Sequence, residues 1–346
     1  MSDPALDTLL LPFATGALTW PTAGGMLFLR ARMGSALAQP GVPRDRLICR
    51  QTFRPFANDL EAAGVALAQD PDLPKGSFPL ILLLPPRQRD EARHLLAEAV
   101  NHVMAGGIVV AASTNNEGAR SVEADLGKLA GDVSSLSKNK ARVFWNVIDK
   151  AHIDQTLLAE WLALGRPRRL ESDPRFLTRP GLFAWDRIDA GSALLAEHLP
   201  TDISGAGADL GCGFGYLGAE ILAHCPRVKS LDCYEAERLA LDLAQGNLAP
   251  LAKGVALDFL WQDVTQGLQR RYDFIVSNPP FHTGRADRVD LGQGFIVAAA
   301  KALRPGGRLL IVANRHLPYE EVFATHFAHR RIVTIADGYK IIEGTT

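Results

Sequence analysis

Apolar and polar positions alternate in a regular order over the second half of the chain. From about Gly205 onward, short apolar runs are separated by stretches of helical periodicity, which is typical of a parallel sheet with crossover helices. A helix over RVDLGQGFIVAAAKAL is expected to end at RPGG. The tail, RRIVTIADGYKIIEGTT, predicts two antiparallel strands around a turn at Asp337 and Gly338. The parallel strands are predicted within GADLGCG, VKSLDCYE, VALDFLWQDV, YDFIVSNPPF and RLLIVANR.

The first half repeats part of this pattern. The segment FPLILLLPPR at 78–87 resembles YDFIVSNPPF at 272–281, and AGGIVVAAS at 105–113 resembles PGGRLLIVAN at 305–314. A helix-like stretch separates the two segments in each half. The shared order predicts a duplicated α/β domain.

The first copy lacks the polar and aromatic residues of the second. Leu84 stands where the second copy has Asn278, and Arg87 stands where it has Phe281. In addition, no glycine-rich turn follows an early strand in the first half. We therefore expect the chemistry to reside in the second half.

Length and composition set the broad class. At 346 residues the chain is too long for one ordinary core, so we predict two domains, 1–164 and 165–346. With 47% hydrophobic and 22% charged residues it has the profile of a globular protein, and a net charge of −1 gives no bulk attraction to nucleic acid.

Four cysteines without CxxC or zinc-like spacing predict buried thiols and no metal site. The N-terminus lacks the pattern of a signal peptide and no apolar run reaches membrane-spanning length, so we expect a cytoplasmic protein without membrane contact.

One basic stretch interrupts this neutral background. Residues 165–187 contain six arginines and three acids. A solvated linker and a phosphate-contacting surface both explain this composition, and the sequence leaves both open.

A glycine-rich turn follows the first strand of the second half. In ADLGCGFGYLG the residues Gly211, Gly213, Gly215 and Gly218 allow a tight turn and close approach to a ligand. Gly213 begins a GxGxxG match, the fingerprint of dinucleotide binding, although helix–strand packing explains the same glycines. Asp209 immediately precedes the turn, where it would repel a pyrophosphate and attract an ammonium group.

Two more acids lie at the ends of successive predicted strands. Glu235 ends the second strand, where its carboxylate can accept both hydroxyls of a ribose. Asp263 ends the third and can accept from an adenine amino group. Together with Asp209 they suit a ligand that carries an amino acid, a ribose and an adenine, which is S-adenosylmethionine (SAM). The alternative for each acid is a turn or helix cap.

The segment IVSNPPFH at 275–282 ends the fourth strand. Proline cannot donate to a sheet ladder, so the strand is expected to stop at Ser277 or Asn278. The side-chain oxygen of Asn278 and the carbonyl of Pro279 can each accept an N–H from the exocyclic amine of a nucleobase, which aims the nitrogen lone pair at a methyl donor. Phe281 offers a face for an extruded base. The alternative is a simple strand stop in which the asparagine caps its own turn.

These motifs resemble one known family. It comprises bacterial class I methyltransferases that modify N2 of guanosine in ribosomal RNA, the RsmC-like group and its large-subunit relatives. The matching segments are RPGLFAWDRIDAGSALL (179–195), DLGCGFGYLG (209–218), IVSNPPFH (275–282), GGRLLIVANRHLPY (306–319) and GYKII (338–342). The NPPF motif alone also fits adenine-N6 and protein glutamine-N5 methyltransferases, which usually carry Tyr in place of Phe281.

The resemblance implies a fold, an activity and a set of site residues. The fold would be α/β, with two tandem Rossmann-like class I methyltransferase domains, the N-terminal one degenerate and serving RNA binding and folding, and a mostly parallel C-terminal sheet with an antiparallel edge hairpin. The partner would be ribosomal RNA or a ribosomal subunit, with 16S RNA favoured over 23S RNA. The site would comprise Asn278, Pro279 and Phe281 for the guanine and Asp209, Gly211, Gly213, Gly215, Glu235, Asp263 and Asn278 for the cofactor.

Two readings outside this family also remain at this point. An oxidoreductase with a nicotinamide cofactor depends on GxGxxG alone, and a ribosome-assembly factor would bind RNA while keeping a vestigial site. The modified guanosine, the choice between naked RNA and an assembled subunit, and the oligomeric state are not encoded in any motif.

Overall fold

The protein divides into two compact units. A computed structural model describes residues 3–68, 73–280, 282–283, 286–287 and 289–346. One unit comprises the chain up to Arg166 together with Arg179–Gly181, and the other comprises Pro167–Thr178 and Leu182–Thr346.

The first unit is a seven-stranded sheet covered by helices. Its strands are β1 (Met26–Leu29), β2 (Leu47–Arg50), β3 (Ala66–Leu67), β4 (Phe78–Leu83), β5 (Val103–Thr114), β6 (Ser134–Lys138) and β7 (Ala141–Val147). Its helices are α1 (Pro4–Leu9), α2 (Leu11–Ala14), α3 (Arg54–Ala62), α4 (Arg89–His102), α5 (Ala119–Ala130) and α6 (Gln155–Leu164). The strand order is β3-β2-β1-β4-β5-β7-β6, parallel except for β7, which runs antiparallel to both β5 and β6.

The second unit repeats this arrangement. A hairpin of β8 (Arg168–Leu170) and β9 (Asp173–Thr178) precedes its sheet. Its other strands are β10 (Ser204–Leu210), β11 (Arg227–Glu235), β12 (Ala256–Trp261), β13 (Tyr272–Ser277), β14 (His282–Thr283), β15 (Ala286–Asp287), β16 (Leu303–Asn314), β17 (His329–Ala336) and β18 (Tyr339–Thr345). Its helices are α7 (Ala190–Glu197), α8 (Tyr216–His224), α9 (Arg238–Leu248), α10 (Val289–Ala302) and α11 (Glu320–His326). The sheet order is β12-β11-β10-β13-β16-β18-β17, with β18 antiparallel to β16 and β17.

The predicted fold class is confirmed. When the strands of each sheet are numbered from its first strand, both orders read 3-2-1-4-5-7-6. Each sheet ends in a hairpin whose turn has two residues with positive φ, Asn139 and Lys140 at 55° and 57°, Asp337 and Gly338 at 51° and 82°. Two successive positive φ values define the turn that matches the twist of a tight hairpin, so the predicted Asp337–Gly338 turn is correct.

Both faces of the second sheet are buried, as expected for parallel strands. Leu231, Val276 and Leu310 pack on the face covered by α7, α8 and α9. Leu210 and Ile275 pack on the opposite face, under α10 and α11. No helix within the described ranges has the length and apolar character needed to cross a membrane.

Two local predictions need comment. β13 ends at Ser277, as the prolines require, but β16 begins at Leu303 and so includes the RPGG segment that was expected to precede it. Gly306 donates to the carbonyl of Thr346 at 3.1 Å, so the C-terminus extends the ladder along this segment.

Part of the basic stretch forms an ordered hairpin, in which β8 pairs with β9. Within β8 and β9, Leu170 and Phe176 are buried in the core of the second unit. Arg175 pairs with Asp173 at 2.6 Å and with Glu220 at 2.9 Å, so acidic side chains of the same unit offset part of its positive charge at the surface.

One buried side chain connects this hairpin to the glycine turn. The Asn247 amide oxygen accepts from Leu177 N–H at 2.9 Å, and its NH2 donates to the carbonyls of Leu177 and Phe214, each at 2.9 Å. Asn247 is buried and its bond to Phe214 is fully buried, so loss of the side chain would leave at least the Phe214 carbonyl without a replacement partner.

We predict that Asn247→Ala destabilises the protein by about 2–4 kcal/mol, since it leaves buried backbone groups without partners. Urea unfolding measures the loss. Asn115→Ala, at an exposed position, is the matched control and should stay within about 0.5 kcal/mol of wild type. Equal stability of the two variants would contradict the assignment.

Candidate active site

Three neighbouring strands of the second unit end at the same level. Leu210 in β10 pairs with Tyr234 in β11 and with Ser277 in β13. Ser277 strengthens this register, because its hydroxyl donates to the carbonyl of Leu210 at 2.7 Å. Ligands of open α/β sheets bind at this carboxyl edge. The next residue of each strand therefore lies in one row, in the order Glu235, Gly211 and Asn278.

The glycine turn leaves room beside this row. Gly211 and Gly213 have positive φ values of 75° and 55°, which glycine adopts without strain. A Cβ on Gly213 would meet no heavy atom within 4 Å, so its backbone borders open space. A Cβ on Gly211 would lie 3.8 Å from the backbone oxygen of Asn278, which places the turn directly beside the end of β13.

The later glycines of the turn serve packing. Gly215 has a φ of 96°, and a Cβ there would lie 3.1 Å from a side-chain carbon of Leu248 and 3.3 Å from the Cα of Ala244. A Cβ on Gly218 would lie 2.8 Å from Leu248. These positions let α8 approach α9 closely, while contact between Gly215 and a cofactor stays a prediction.

Asp209 is buried beneath the glycine turn. Its side chain is 0% exposed, and neither carboxylate oxygen is within hydrogen-bond geometry of a partner among the described residues. Burial raises the pKa of Asp209 to about 7; repulsion from Glu235 adds to this, and the Gly218 N–H in the first turn of α8 offsets only part of it. An orphaned carboxylate of this kind favours a nearby cation.

Glu235 is held by the backbone around it. Its Oε2 accepts from Gly213 N–H at 2.8 Å and its Oε1 accepts from Glu237 N–H at 2.9 Å. Burial raises the pKa of Glu235, and these N–H donors work in the opposite direction. The residue nevertheless retains some exposure. Each oxygen can accept a further hydrogen bond.

Asp263 lies beyond the row formed by Glu235, Gly211 and Asn278. β12 ends at Trp261, which pairs with Glu235, so Asp263 stands two residues beyond the paired position. Its Oδ1 accepts from the backbone N–H and the hydroxyl of Thr265, at 2.9 Å and 2.7 Å, and caps a short 3-10 turn. Oδ1 of Asp263 therefore acts as a cap, as the alternative interpretation expected. Contact between Oδ2 and an adenine stays a prediction.

Asn278 has a fixed orientation. Its Nδ2 donates to Oδ2 of Asp189 at 2.9 Å and to Oγ of Ser192 at 2.8 Å. A carboxylate only accepts hydrogen bonds, so the NH2 side of the amide must face Asp189. The carbonyl Oδ1 of Asn278 consequently points away from this pair, and it accepts no hydrogen bond from the described residues.

The rest of the asparagine loop is described only in part. Pro279 is buried and Pro280 is exposed, and both restrict the backbone after Asn278. Phe281 lies outside the described residues, and only the backbone of His282 is described.

Asp189 and Ser192 are the residues that the sequence analysis missed. Asp189 is the N-cap of α7, where its Oδ2 also accepts from Ser192 N–H at 2.9 Å. The available signal was the Asp-x-x-Ser pattern in DRIDAGSALL, which predicts a helix start but not a contact with a strand 89 positions later.

The first unit has the same strand register without the chemistry. Leu29 pairs with Arg50 and Leu83, as Leu210 pairs with Tyr234 and Ser277. By this register the counterparts of Asp209, Gly211, Glu235 and Asn278 are Phe28, Arg30, Gln51 and Leu84.

Two of these replacements, Arg30 and Gln51, place side chains with internal partners at the positions equivalent to Gly211 and Glu235. Arg30 keeps a positive φ of 53° at the glycine position, and its guanidinium pairs with Glu91 at 2.7 Å. The oxygen of Gln51 accepts from Phe53 N–H at 2.8 Å, as Glu235 does from Glu237, but its NH2 donates to the carbonyl of Ala31. An amide thus replaces the carboxylate, and one of its two arms is a donor that cannot accept a ribose hydroxyl.

The second site therefore combines four elements. They are a buried carboxyl group, a partly exposed carboxylate, open space against a glycine turn, and an amide whose NH2 is fixed by Asp189 and Ser192. Such a set can hold a cationic, hydroxyl-bearing ligand next to a group that donates N–H bonds.

Comparisons with known proteins agree with this geometry. The methyltransferase small domain family model matches residues 173–343. Ribosomal RNA small subunit methyltransferase C of Shewanella baltica is 29% identical over 273 residues, covering 79% of this chain and 77% of that protein. The protein of the same name from Shewanella loihica is 31% identical over 271 residues, covering 77% of this chain and 76% of that protein.

A solved structure shares the whole fold. The T. thermophilus 16S rRNA N2 G1207 methyltransferase (RsmC), in complex with AdoMet and guanosine, aligns with a TM-score of 0.81 at 24% identity. The alignment covers 99% of this chain and 92% of that one, so the tandem architecture is common to both. The fold and the two curated relatives together show that this chain belongs to the ribosomal RNA small subunit methyltransferase C family.

Proposed function

We propose that this protein transfers a methyl group from SAM to the exocyclic N2 amine of a guanosine in 16S ribosomal RNA. The observation that carries the proposal is the fixed amide of Asn278, whose NH2 is bound by Asp189 and Ser192 and whose backbone lies beside the glycine turn. Support comes from curated relatives named ribosomal RNA small subunit methyltransferase C and from a similar structure that contains AdoMet and guanosine. Action on this RNA would place the protein in the cytoplasm.

The residues at the carboxyl edge fit the proposed cofactor. The orphaned carboxylate of Asp209 favours the positive charge at the methionine end, although its full burial means that it acts through the turn above it. Glu235 can accept the ribose hydroxyls with its remaining lone pairs. Gly213 supplies open backbone, Gly211 brings the turn close to the end of β13, and Asp263 would offer one oxygen to the adenine amino group. A dinucleotide fits less well, because an ionised Asp209 would repel its pyrophosphate.

The chain's contribution to chemistry is orientation. SAM supplies an electrophilic methyl group. An exocyclic amine is a poor nucleophile because its lone pair is delocalised into the ring. Asn278 Oδ1 and the Pro279 carbonyl would each accept one N–H, which draws the nitrogen toward a tetrahedral shape and aims its lone pair outward. No strong base is needed, because an N–H proton becomes acidic as positive charge develops on nitrogen and would pass to water. The S–CH3 bond would break as the N–CH3 bond forms, so the leaving group would be S-adenosylhomocysteine.

Rigidity makes this geometry available before the substrate arrives. Pro279 and Pro280 each fix φ near −65°, and Asp189 and Ser192 fix the amide, so little conformational entropy is lost on binding. Phe281, which lies outside the described residues, is proposed to stack on the guanine.

The first domain, proposed as residues 1–164, would bind RNA and support folding, while 165–346 would carry catalysis. The filled site of the first unit supports this division, since Arg30 and Gln51 occupy the positions that a cofactor would need. Its partner would be 16S RNA or the small ribosomal subunit.

Replacement of Asn278 is the first test. We predict that Asn278→Ala lowers methyl transfer to 16S RNA by about 10²-fold or more, because a positioned acceptor is lost from the transition state. Affinity for S-adenosylhomocysteine, measured by calorimetry, should change by less than about threefold, since the amide side chain contacts the substrate.

The assay uses tritiated SAM with 16S RNA, 23S RNA and both subunits, followed by identification of the product nucleoside. N2-methylguanosine in the 16S fraction is the expected product. Methyladenosine, transfer to protein, or wild-type rates from Asn278→Ala would overturn the proposal.

The raised pKa of Asp209 gives a second test. The folded protein keeps a proton on Asp209 up to about pH 7, whereas the unfolded chain releases it near pH 4, at about its ordinary pKa. The contribution of Asp209 to the free energy of unfolding of the ligand-free protein should therefore fall as pH rises from 4 to 7. SAM affinity should rise over the pH range in which Asp209 ionises.

Asp209→Asn should flatten both slopes and raise the melting temperature of the free protein at pH 8. Asp242→Asn, at an exposed position on α9, is the control and should keep the wild-type slopes. Thermal unfolding and calorimetry between pH 5 and pH 8 provide the readings. Identical slopes in the wild type and Asp209→Asn would disprove the role of Asp209.

A further inference from the structure

We infer that Asp189 and Ser192 are positioning residues that set the direction of the Asn278 carbonyl. The inference deepens the proposed function and rests on it for the identity of the substrate. The geometry that supports it, however, can be measured without any reaction.

Both hydrogens of the Asn278 amide are accounted for. One is donated to Oδ2 of Asp189 at 2.9 Å and the other to Oγ of Ser192 at 2.8 Å. An amide rotated by half a turn would direct its oxygen at the Asp189 carboxylate, and two acceptors would then face each other in a partly buried site. The pair therefore selects one of the two amide orientations.

The pair is itself held rigidly. Asp189 is the N-cap of α7, and its Oδ2 also accepts from Ser192 N–H at 2.9 Å, so both residues belong to the first turn of one helix. A Cβ on Gly191 would lie 3.1 Å from Oδ2 of Asp189 and 3.0 Å from the ring of Tyr339. The bare glycine between them leaves space for the carboxylate to approach the asparagine.

The first unit shows that capping alone does not require this contact. Asp154 caps α6 in the same way, accepting from Leu157 N–H at 2.9 Å, and it bonds to no asparagine among the described residues. Leu84, the counterpart of Asn278 by strand register, has no amide to orient. A variant of Asp154 therefore separates loss of a cap from loss of amide positioning.

Steady-state kinetics gives the first arm of the test. We expect Asp189→Ala to lower kcat at least about tenfold with KM for RNA and affinity for S-adenosylhomocysteine within about threefold, because the acceptor is misdirected rather than removed. Ser192→Ala, which keeps the cap, should lower kcat by a smaller factor. Asp154→Ala should lose stability without losing kcat.

Non-additivity gives the second arm. In an Asn278→Ala background, Asp189→Ala should cause no further loss of kcat, since no amide remains to be oriented. A full additional loss in that background, or wild-type kcat from both Asp189→Ala and Ser192→Ala, would overturn the inference.

Hydrogen exchange of the side-chain amide gives a third arm that needs no substrate. With 15N-labelled asparagine, the Asn278 NH2 resonances are identified by their absence in Asn278→Ala. They should exchange slowly in the wild type and in Asp154→Ala, and quickly in Asp189→Ala. Fast exchange in the wild type would overturn the positioning role, whereas slow exchange without methyl transfer to any RNA would overturn only the proposed function.

Discussion

The register of three parallel strands is the constraint on which the candidate site depends. Leu210 pairs with residues of both neighbours, and the positions that follow it and its partners carry a carboxylate, a glycine and an amide. A strand that slips by one residue turns every side chain to the opposite face of the sheet, where it would meet a different packed layer. The row is therefore fixed as firmly as the core on both sides of it. The candidate site residues follow directly after these strand ends, so the rigid edge of the sheet holds them in place.

The two units show which part of this arrangement is structural. Both have the same strand order and the same register, and both follow the fourth strand with two prolines. The ladder, the prolines and the edge hairpin therefore belong to the fold. The differences lie in the row at the strand ends. In the first unit this row contains Arg30, which pairs with Glu91, and Gln51, whose NH2 group is a hydrogen-bond donor. Duplication followed by local replacement explains how one fold is used twice with one site.

The sequence correctly predicted the features that depend on short-range patterns of residues. The strands, the stop at Ser277, the Asp337–Gly338 turn and the duplication all follow from periodicity and from the backbone limits of proline and glycine. It did not separate a cap from a ligand contact at Asp263, because both uses require the same oxygens. It also missed Asp189, whose partner is far away in the chain and is selected only when α7 packs against the second sheet.

Charge at the site follows from burial more than from composition. The chain is nearly neutral overall, yet burial raises the pKa of both Asp209 and Glu235, and repulsion from Glu235 adds to the raised pKa of Asp209. A cation in the adjoining space would relieve this repulsion, so ligand binding and local stability are coupled through the same carboxylates.

The most direct test of the central claim is a crystal structure of the protein with S-adenosylhomocysteine and guanosine. The account predicts that Asn278 Oδ1 lies within about 2.7–3.2 Å of the guanine N2 amine while Nδ2 keeps its contacts with Asp189 and Ser192. A guanine bound elsewhere, or an Asn278 amide that directs its NH2 at the base, would contradict it.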